Sequence, residues 1–245
     1  MTRMVPVSIE NRTVSVPDAV FSYRLYRENR RTLVLRLGEE GLEAHAPLSV
    51  PTVEVEAFLA EKRQWIQKHL TRQEEAQSWA EGFQFRHGGR FIYRGDVTGL
   101  LLGAAKTTLV ERGGYPVLYA ALREDASEIR VRGFLRGWLA AQAAKTYPGR
   151  VALLAQKTGV APSAVHLTDA VSFWGQCDSR GVIKLSWRLM LFDEAVSDYV
   201  IAHELAHLVH MDHSPRFWAL VARVDPGYKK HEAQLKSIRI REIPL

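Results

Sequence analysis

His203, Glu204 and His207, in the segment HELAH, are the residues of this 245-residue sequence best placed to do chemistry. A four-residue step on a helix advances about 6 Å and turns about 40°, so the two imidazoles face one spot. Neutral imidazole suits a divalent first-row metal, and a carboxylate one residue on lies beside that spot without displacing either ring. The chemistry that such a set implies is metal-assisted hydrolysis. Zinc lowers the pKa of a bound water and polarises the bond to be cut, while Glu204 relays the proton. Many helices carry H-E-x-x-H by chance, but Val196 and Val200 here precede the histidines on the same face. The stripe turns His203 and His207 inward, where two imidazoles are costly unless a metal or other partner satisfies them.

A third ligand has two local candidates. His210 lies almost on the face of His203 but about 10 Å further along the axis. One zinc ion with bonds near 2.1 Å does not reach both on a continuous helix. His213 precedes Ser214-Pro215, a good N-cap and a good first helical residue, so a new helix starts there. The chain therefore turns between 210 and 214, which swings His213 back and favours it; His210 reads as a helix-end histidine near terminal carbonyls. Three histidines leave one position open for water, the mark of a catalytic site. The lone cysteine, Cys177, is too isolated for thiolate ligation and reads as a small packing residue.

The elements that position these residues follow from pattern. Asp193 is placed to cap a helix over 194–210, and Pro215 opens another to 224, with a last helical segment after Asp225-Pro226-Gly227. Val165–Trp174 and Val182–Trp187 read as strands joined by a turn in CDSRG, and the second should flank the HELAH helix across the cleft. Upstream, a helix over 126–146 shows Ile129, Leu135, Trp138, Leu139 and Ala143 as its stripe and ends at YPGR. Gly133 and Gly137 weaken it unless they admit a close neighbour. A shorter helix, Val151–Lys157, follows. Gly82–Tyr119 is strand-like and rich in glycine. Strands at 21–26, 32–37 and 42–46, the last two joined by a GEEG turn, precede a helix capped at Thr52 and running to Leu70. The sum is an α+β chain with a soft division near 122. Residues 1–122 form a β-rich portion with one helix, and 123–245 the metal-binding catalytic portion.

Composition narrows the class. Apolar residues make 47% and charged residues 24% of the chain, as in an ordinary globular protein. One cysteine excludes an intrachain disulfide and fits a reducing, cytoplasmic setting. No apolar run resembles a signal peptide or reaches bilayer length, so no membrane partner is expected. The net charge of +6 favours weak nucleic-acid or nucleotide association over a basic partner, but the basic residues are scattered. A solvated basic face is the better reading.

The segment FWGQCDSRGVIKLSWRLMLFDEAVSDYVIAHELAHLVHMDHSPRFWALV, residues 173–221, closely resembles the YgjP-like family of metal-dependent hydrolases. It is more remotely similar to SprT-like proteins. Arg30-Arg31 leading a strand and the Trp65-Ile66 helix resemble the family's β-rich lead-in. The resemblance implies a zincin-like metallopeptidase fold, His203, His207 and His213 as ligands of Zn²⁺, and Glu204 as the catalytic residue. Two departures, Gln176 after Gly175 and Asp212 before His213, remove no ligand. Gln176 is expected to line the cleft, and Asp212 to hydrogen-bond a ligand or its neighbour. The leading function is peptide-bond hydrolysis. Its rivals are hydrolysis of nucleotides or other phosphoanhydrides, and a non-catalytic metal-stabilised module associated with nucleic acid. Trp174, Trp187 and Trp218 read as core. Arg188 reads as a structural or surface charge ahead of an oxyanion helper, and Tyr228 as a packing residue ahead of a hydrogen-bond donor to an oxyanion.

Overall fold

Alternating side chains in the first strands dictate a half-buried sheet, and a computed structural model shows one. It describes residues 6–38 and 41–245, with the backbone alone over 72–80. The GEEG turn falls, at Glu39 and Glu40, outside the described residues. The chain forms two compact units, 1–75 and 76–245.

In the first unit, β1 (Ser8–Val16) and β2 (Ala19–Glu28) form a hairpin. β4 (Gly41–Pro47) runs parallel to β2 and antiparallel to β3 (Val34–Gly38), giving the order β1-β2-β4-β3. Phe21, Tyr23 and Leu25 share one face of β2 and bury Val55 and Leu59 of α1 (Thr52–Glu61) and Ile66 of α2 (Arg63–Glu81). The single helix expected over 52–70 is thus two, divided at Lys62, whose backbone leaves the helical region with φ −89° and ψ 10°. Pro51 stands at the N-cap, not Thr52, whose hydroxyl instead accepts a hydrogen bond from Arg27 at 3.0 Å.

The second unit opens with the same plan. β5 (Gly89–Tyr93), β6 (Asp96–Leu102), β7 (Thr108–Arg112) and β8 (Tyr115–Ala120) order as β5-β6-β8-β7, with β6 and β8 parallel and the outer pairs antiparallel. Each sheet is followed in the chain by a helix. Here it is α3 (Glu128–Thr158), 31 residues long. Its buried stripe, Val131, Leu135, Leu139, Ala143, Tyr147, Val151 and Leu154, runs straight through the expected stop at YPGR. Pro148 and Ala144 both lie on the exposed side, so the carbonyl that Pro148 cannot bond faces water. The core outweighs the missing hydrogen bond, and the helix ends instead at Gly159, left-handed at φ 75°. Ile129, expected in the stripe, is 83% exposed.

The rest of the unit is a second, smaller sheet under helices. β9 (Ala164–Thr168), β10 (Gly175–Cys177) and β11 (Val182–Ser186) order as β10-β11-β9, with β11 parallel to β9 and antiparallel to β10. A 3-10 helix, Trp187–Leu191, leads into α4 (Glu194–His207), α5 (Pro215–Val224) and α6 (Tyr228–Ser237). One core joins Phe91 and Leu118 of the first sheet, Leu139 of α3, Leu185 of β11 and Leu205 of α4. Position 122, where the sequence changes character, lies within this unit because the β5–β8 sheet and α3 bury their apolar faces in that common core.

Gly133 and Gly137 admit no close neighbour. Both are exposed, and a Cβ at either would meet nothing within 4 Å. Gly133→Ala and Gly137→Ala should each stabilise the chain by about 0.5–1 kcal/mol, read as a rise in the denaturant midpoint. A fall in the midpoint would show a partner for that face.

Candidate metal centre

Local chemistry sets the helix that carries the motif. Asp193 stands at the N-cap of α4, but its side chain makes no capping bond. It is packed instead against Gly95, where any Cβ would collide with its carboxylate. α4 closes at His207, three residues before the expected end, as the Leu208, Val209 and His210 amides fold back onto Leu205 and Ala206 carbonyls. Ser214 then caps α5, accepting from the Phe217 amide at 3.5 Å, with Pro215 at the first helical position. Asp212 tightens the same turn by accepting from the Ser214 amide at 3.3 Å. The Ser214 side chain, and after it that amide, hold the exposed Asp212 carboxyl below the usual range.

The turn brings three imidazoles together. Potential ligand atoms of His203, His207 and His213 all lie within 4.8 Å of one another. Nε2 of His213 is 3.3 Å from Nε2 of His203, close to the spacing of two nitrogens sharing a tetrahedral zinc. Phe217, fully buried, packs its ring 4.6–4.8 Å from all three imidazoles. Burial, then the neighbouring His207 and His213, push His203 down to about 4, so its ring is neutral with a lone pair to give. His207 is also lowered, by burial first, and its Nδ1 faces the His210 carbonyl at 3.1 Å. That contact fixes the proton on Nδ1 and frees Nε2 for a metal. His210 therefore serves the cluster through its backbone, and its ring is outside it. Nδ1 of His203 is buried with no hydrogen-bond partner among the described residues. The donor set, three imidazole nitrogens converging on one point, fits a borderline-soft divalent cation.

Glu204 lies on the same turn, 5% exposed. Burial pushes its carboxyl up to about 8, offset in part by a hydrogen bond from the Cys177 backbone. A cation beside it would draw the value back down. Gly175 makes this arrangement possible. A Cβ there would lie 2.6 Å from Glu204 Oε1 and 2.7 Å from Val200 Cγ1, so β10 and α4 meet at glycine distance. Ser186 donates to the Trp174 carbonyl and Asp178 to the Val182 carbonyl. These bonds occupy alternate residues of β10, so the amides and carbonyls of Gly175 and Cys177 point away from β11, and the Cys177 amide meets Glu204.

A cleft of about 370 Å³ opens at His203 and Glu204, lined also by Trp174, Gly175 and Tyr199 and, from α6, by Glu232, Leu235 and Lys236. The strand flanking the cleft is β10, not the expected 182–187 segment; β11 is paired on both sides and has no free edge. Gln176 does not line it. Period-two alternation sends its side chain to the exposed face. Of the tryptophans, Trp187 is buried and donates to Asp169 at 2.8 Å, as a core residue does. Trp174 lines the cleft, and Trp218 is half-buried between His213 and Tyr228, stacked on both. Arg188 is 3% exposed and bound to Asp169 at 2.8 Å, a structural charge remote from oxyanion duty. Cys177 stays out of the cluster; burial, with Glu204 and Asp178, raises its thiol, which keeps it a poor ligand. The lining residues of α6 carry no local signal, because only the tertiary fold brings them over α4.

An HExxH helix beneath a small mixed sheet, in an α+β chain, defines a zincin-like metal-dependent hydrolase. The sequence profile of the YgjP-like, metallopeptidase domain family matches residues 31–238, and the chain belongs to that family. Among solved structures, the metallopeptidase zymogen of Pyrococcus abyssi abylysin is similar at 24% identity, over 37% of this chain and 91% of its own. Its TM-score of 0.35 is too low to establish a shared fold. No curated protein matches the chain. No described helix is long and apolar enough to cross a membrane.

The ring of His213 and the backbone of His210 predict opposite mutant behaviour. His213→Ala should weaken zinc binding by at least about 100-fold, whereas His210→Ala keeps the carbonyl and should leave it within a few-fold. The reverse pattern in a competitive zinc titration would overturn the assignment. Gly175→Ala should retain the metal but displace Glu204, lowering turnover by about 100-fold, the usual result of a 1 Å misplacement.

Proposed function

We propose that this chain is a zinc peptidase in which His203, His207 and His213 hold the metal and Glu204 is the general base. The observation that carries the reading is the convergence of three imidazoles on one point, with a buried carboxylate beside them where His203 and Glu204 line an open cleft. Three nitrogen ligands without a thiolate suit a catalytic zinc ion and leave a position for substrate. Bound there, zinc would supply Lewis acidity towards water and towards the carbonyl of the bond to be cut.

The chain's own groups do the rest. The Cys177 amide orients the Glu204 carboxylate, which removes a proton from the attacking water and returns it to the departing amine nitrogen. The outward amide and carbonyl of Gly175 and the outward carbonyl of Cys177 offer an edge on which an extended substrate backbone adds as a strand. Trp174 and Leu235 wall the cleft and exclude water from the substrate's flanks. An open strand edge alternates donors and acceptors as a peptide backbone does, whereas a phosphoanhydride offers acceptors alone and leaves the edge carbonyls unpaired, which supports peptide bonds as the substrate. An open cleft at His203 and Glu204 likewise favours catalysis over a closed structural site.

Glu204→Gln keeps the shape of the side chain and removes its basicity. Zinc content and melting behaviour should be retained while kcat on a peptide substrate falls by roughly 10²–10⁴. Equal turnover by the two proteins at equal zinc content would refute the mechanism, and loss of the metal in the variant would make Glu204 structural.

A further inference from the structure

The cleft does not end at Trp174. A second depression, of about 320 Å³, shares that tryptophan and is lined also by Val171, Ser172, Arg239 and Arg241. The two arginines are its only charged lining residues. Arg239 gives one guanidinium nitrogen to Glu242 at 3.1 Å, and Arg241 has no ion pair among the described residues. The acids of the first cleft are already committed: Glu232 pairs with Lys236 at 2.6 Å, and Glu204 is buried against β10. Among the described residues no carboxylate lines the second depression, and Glu242 offsets Arg239 alone, leaving the Arg241 charge unbalanced. The surplus is wider than this wall. Residues 76–245 hold 22 Lys plus Arg against 16 Asp plus Glu, whereas 1–75 hold 11 of each, so the whole net charge of +6 sits on the unit that carries the cleft.

We propose that this depression is a subsite for an acidic side chain, Asp or Glu, of the peptide substrate, bound by Arg239 and Arg241 away from the bond that is cut. The inference rests on the peptidase reading and names the substrate class for that same site. An extended peptide lying along β10 advances about 3.3 Å per residue, so one or two residues beyond Gly175 carry it past Trp174. There the planar fork of a guanidinium matches a carboxylate through paired hydrogen bonds. The tryptophan face and Val171 cover the methylene groups of the acidic side chain, which lowers screening of the charge pair.

The test is peptide binding by full-length, zinc-loaded Glu204→Gln protein, followed by fluorescence anisotropy. The probes are labelled octapeptides with one Glu moved through every position, each with its Lys counterpart. One position should bind about fivefold or more tightly with Glu than with Lys, and the preference should shrink as salt rises. Arg241→Glu, at an exposed position, and the Arg239→Ala/Arg241→Ala double variant should abolish or reverse the preference, with zinc content unchanged. Binding without charge preference, or a preference that survives both variants, would overturn this subsite and leave the peptidase reading standing. Tighter binding of inorganic tripolyphosphate than of any acidic peptide would overturn it in favour of a phosphorylated ligand. Binding of no peptide at all by zinc-loaded protein would overturn both readings.

Discussion

The desolvation of α4 is the constraint on which the rest of the structure depends. The helix turns two imidazoles and a carboxylate towards a core that offers them little water. Burial drives each group towards its neutral form: His203 is lowered to about 4 and Glu204 raised to about 8. Neutral imidazoles are what a metal needs, but a protonated carboxyl is a poor base. A divalent cation at the histidines would resolve the conflict, because its field would favour the ionised form of Glu204 and use the lone pairs that burial preserves.

The surrounding elements serve that constraint. α5 supplies Phe217 beneath the three rings, and the Ser214-Pro215 start of α5 fixes the turn that returns His213. β10 approaches α4 closely only because residue 175 is glycine, and that approach lets a strand amide hold Glu204. The long stripe of α3 packs into the same core, so α4 rests on a scaffold built over more than a hundred residues of sequence. β10 thus meets the helix that carries the histidines at Gly175.

Local grammar made much of this legible in the sequence. The HELAH spacing, the Ser214-Pro215 helix start and the resulting return of His213 are decided within about a dozen residues, and the structure brings those residues together as expected. The motifs of 173–221 likewise point to the family shown by the match over 31–238. What the sequence hid was tertiary. Pro148 looks like a stop, but only the depth of the core under Tyr147 and Val151 shows that α3 continues. β11 looks like the strand at the cleft until its pairing on both sides leaves β10 as the edge. The approach of Gly175 to Glu204, and of Glu232 and Lys236 to the cleft, joins residues that no short-range pattern connects.

X-ray absorption at the zinc edge of the stoichiometrically loaded protein tests the central claim most directly. The account predicts three imidazole nitrogens at about 2.0–2.1 Å, one further light-atom ligand, and no sulfur. Loss of one imidazole in His213→Ala should accompany that spectrum. A sulfur scatterer at about 2.3 Å from Cys177, or a shell that keeps three imidazoles after His213 is removed, would contradict it.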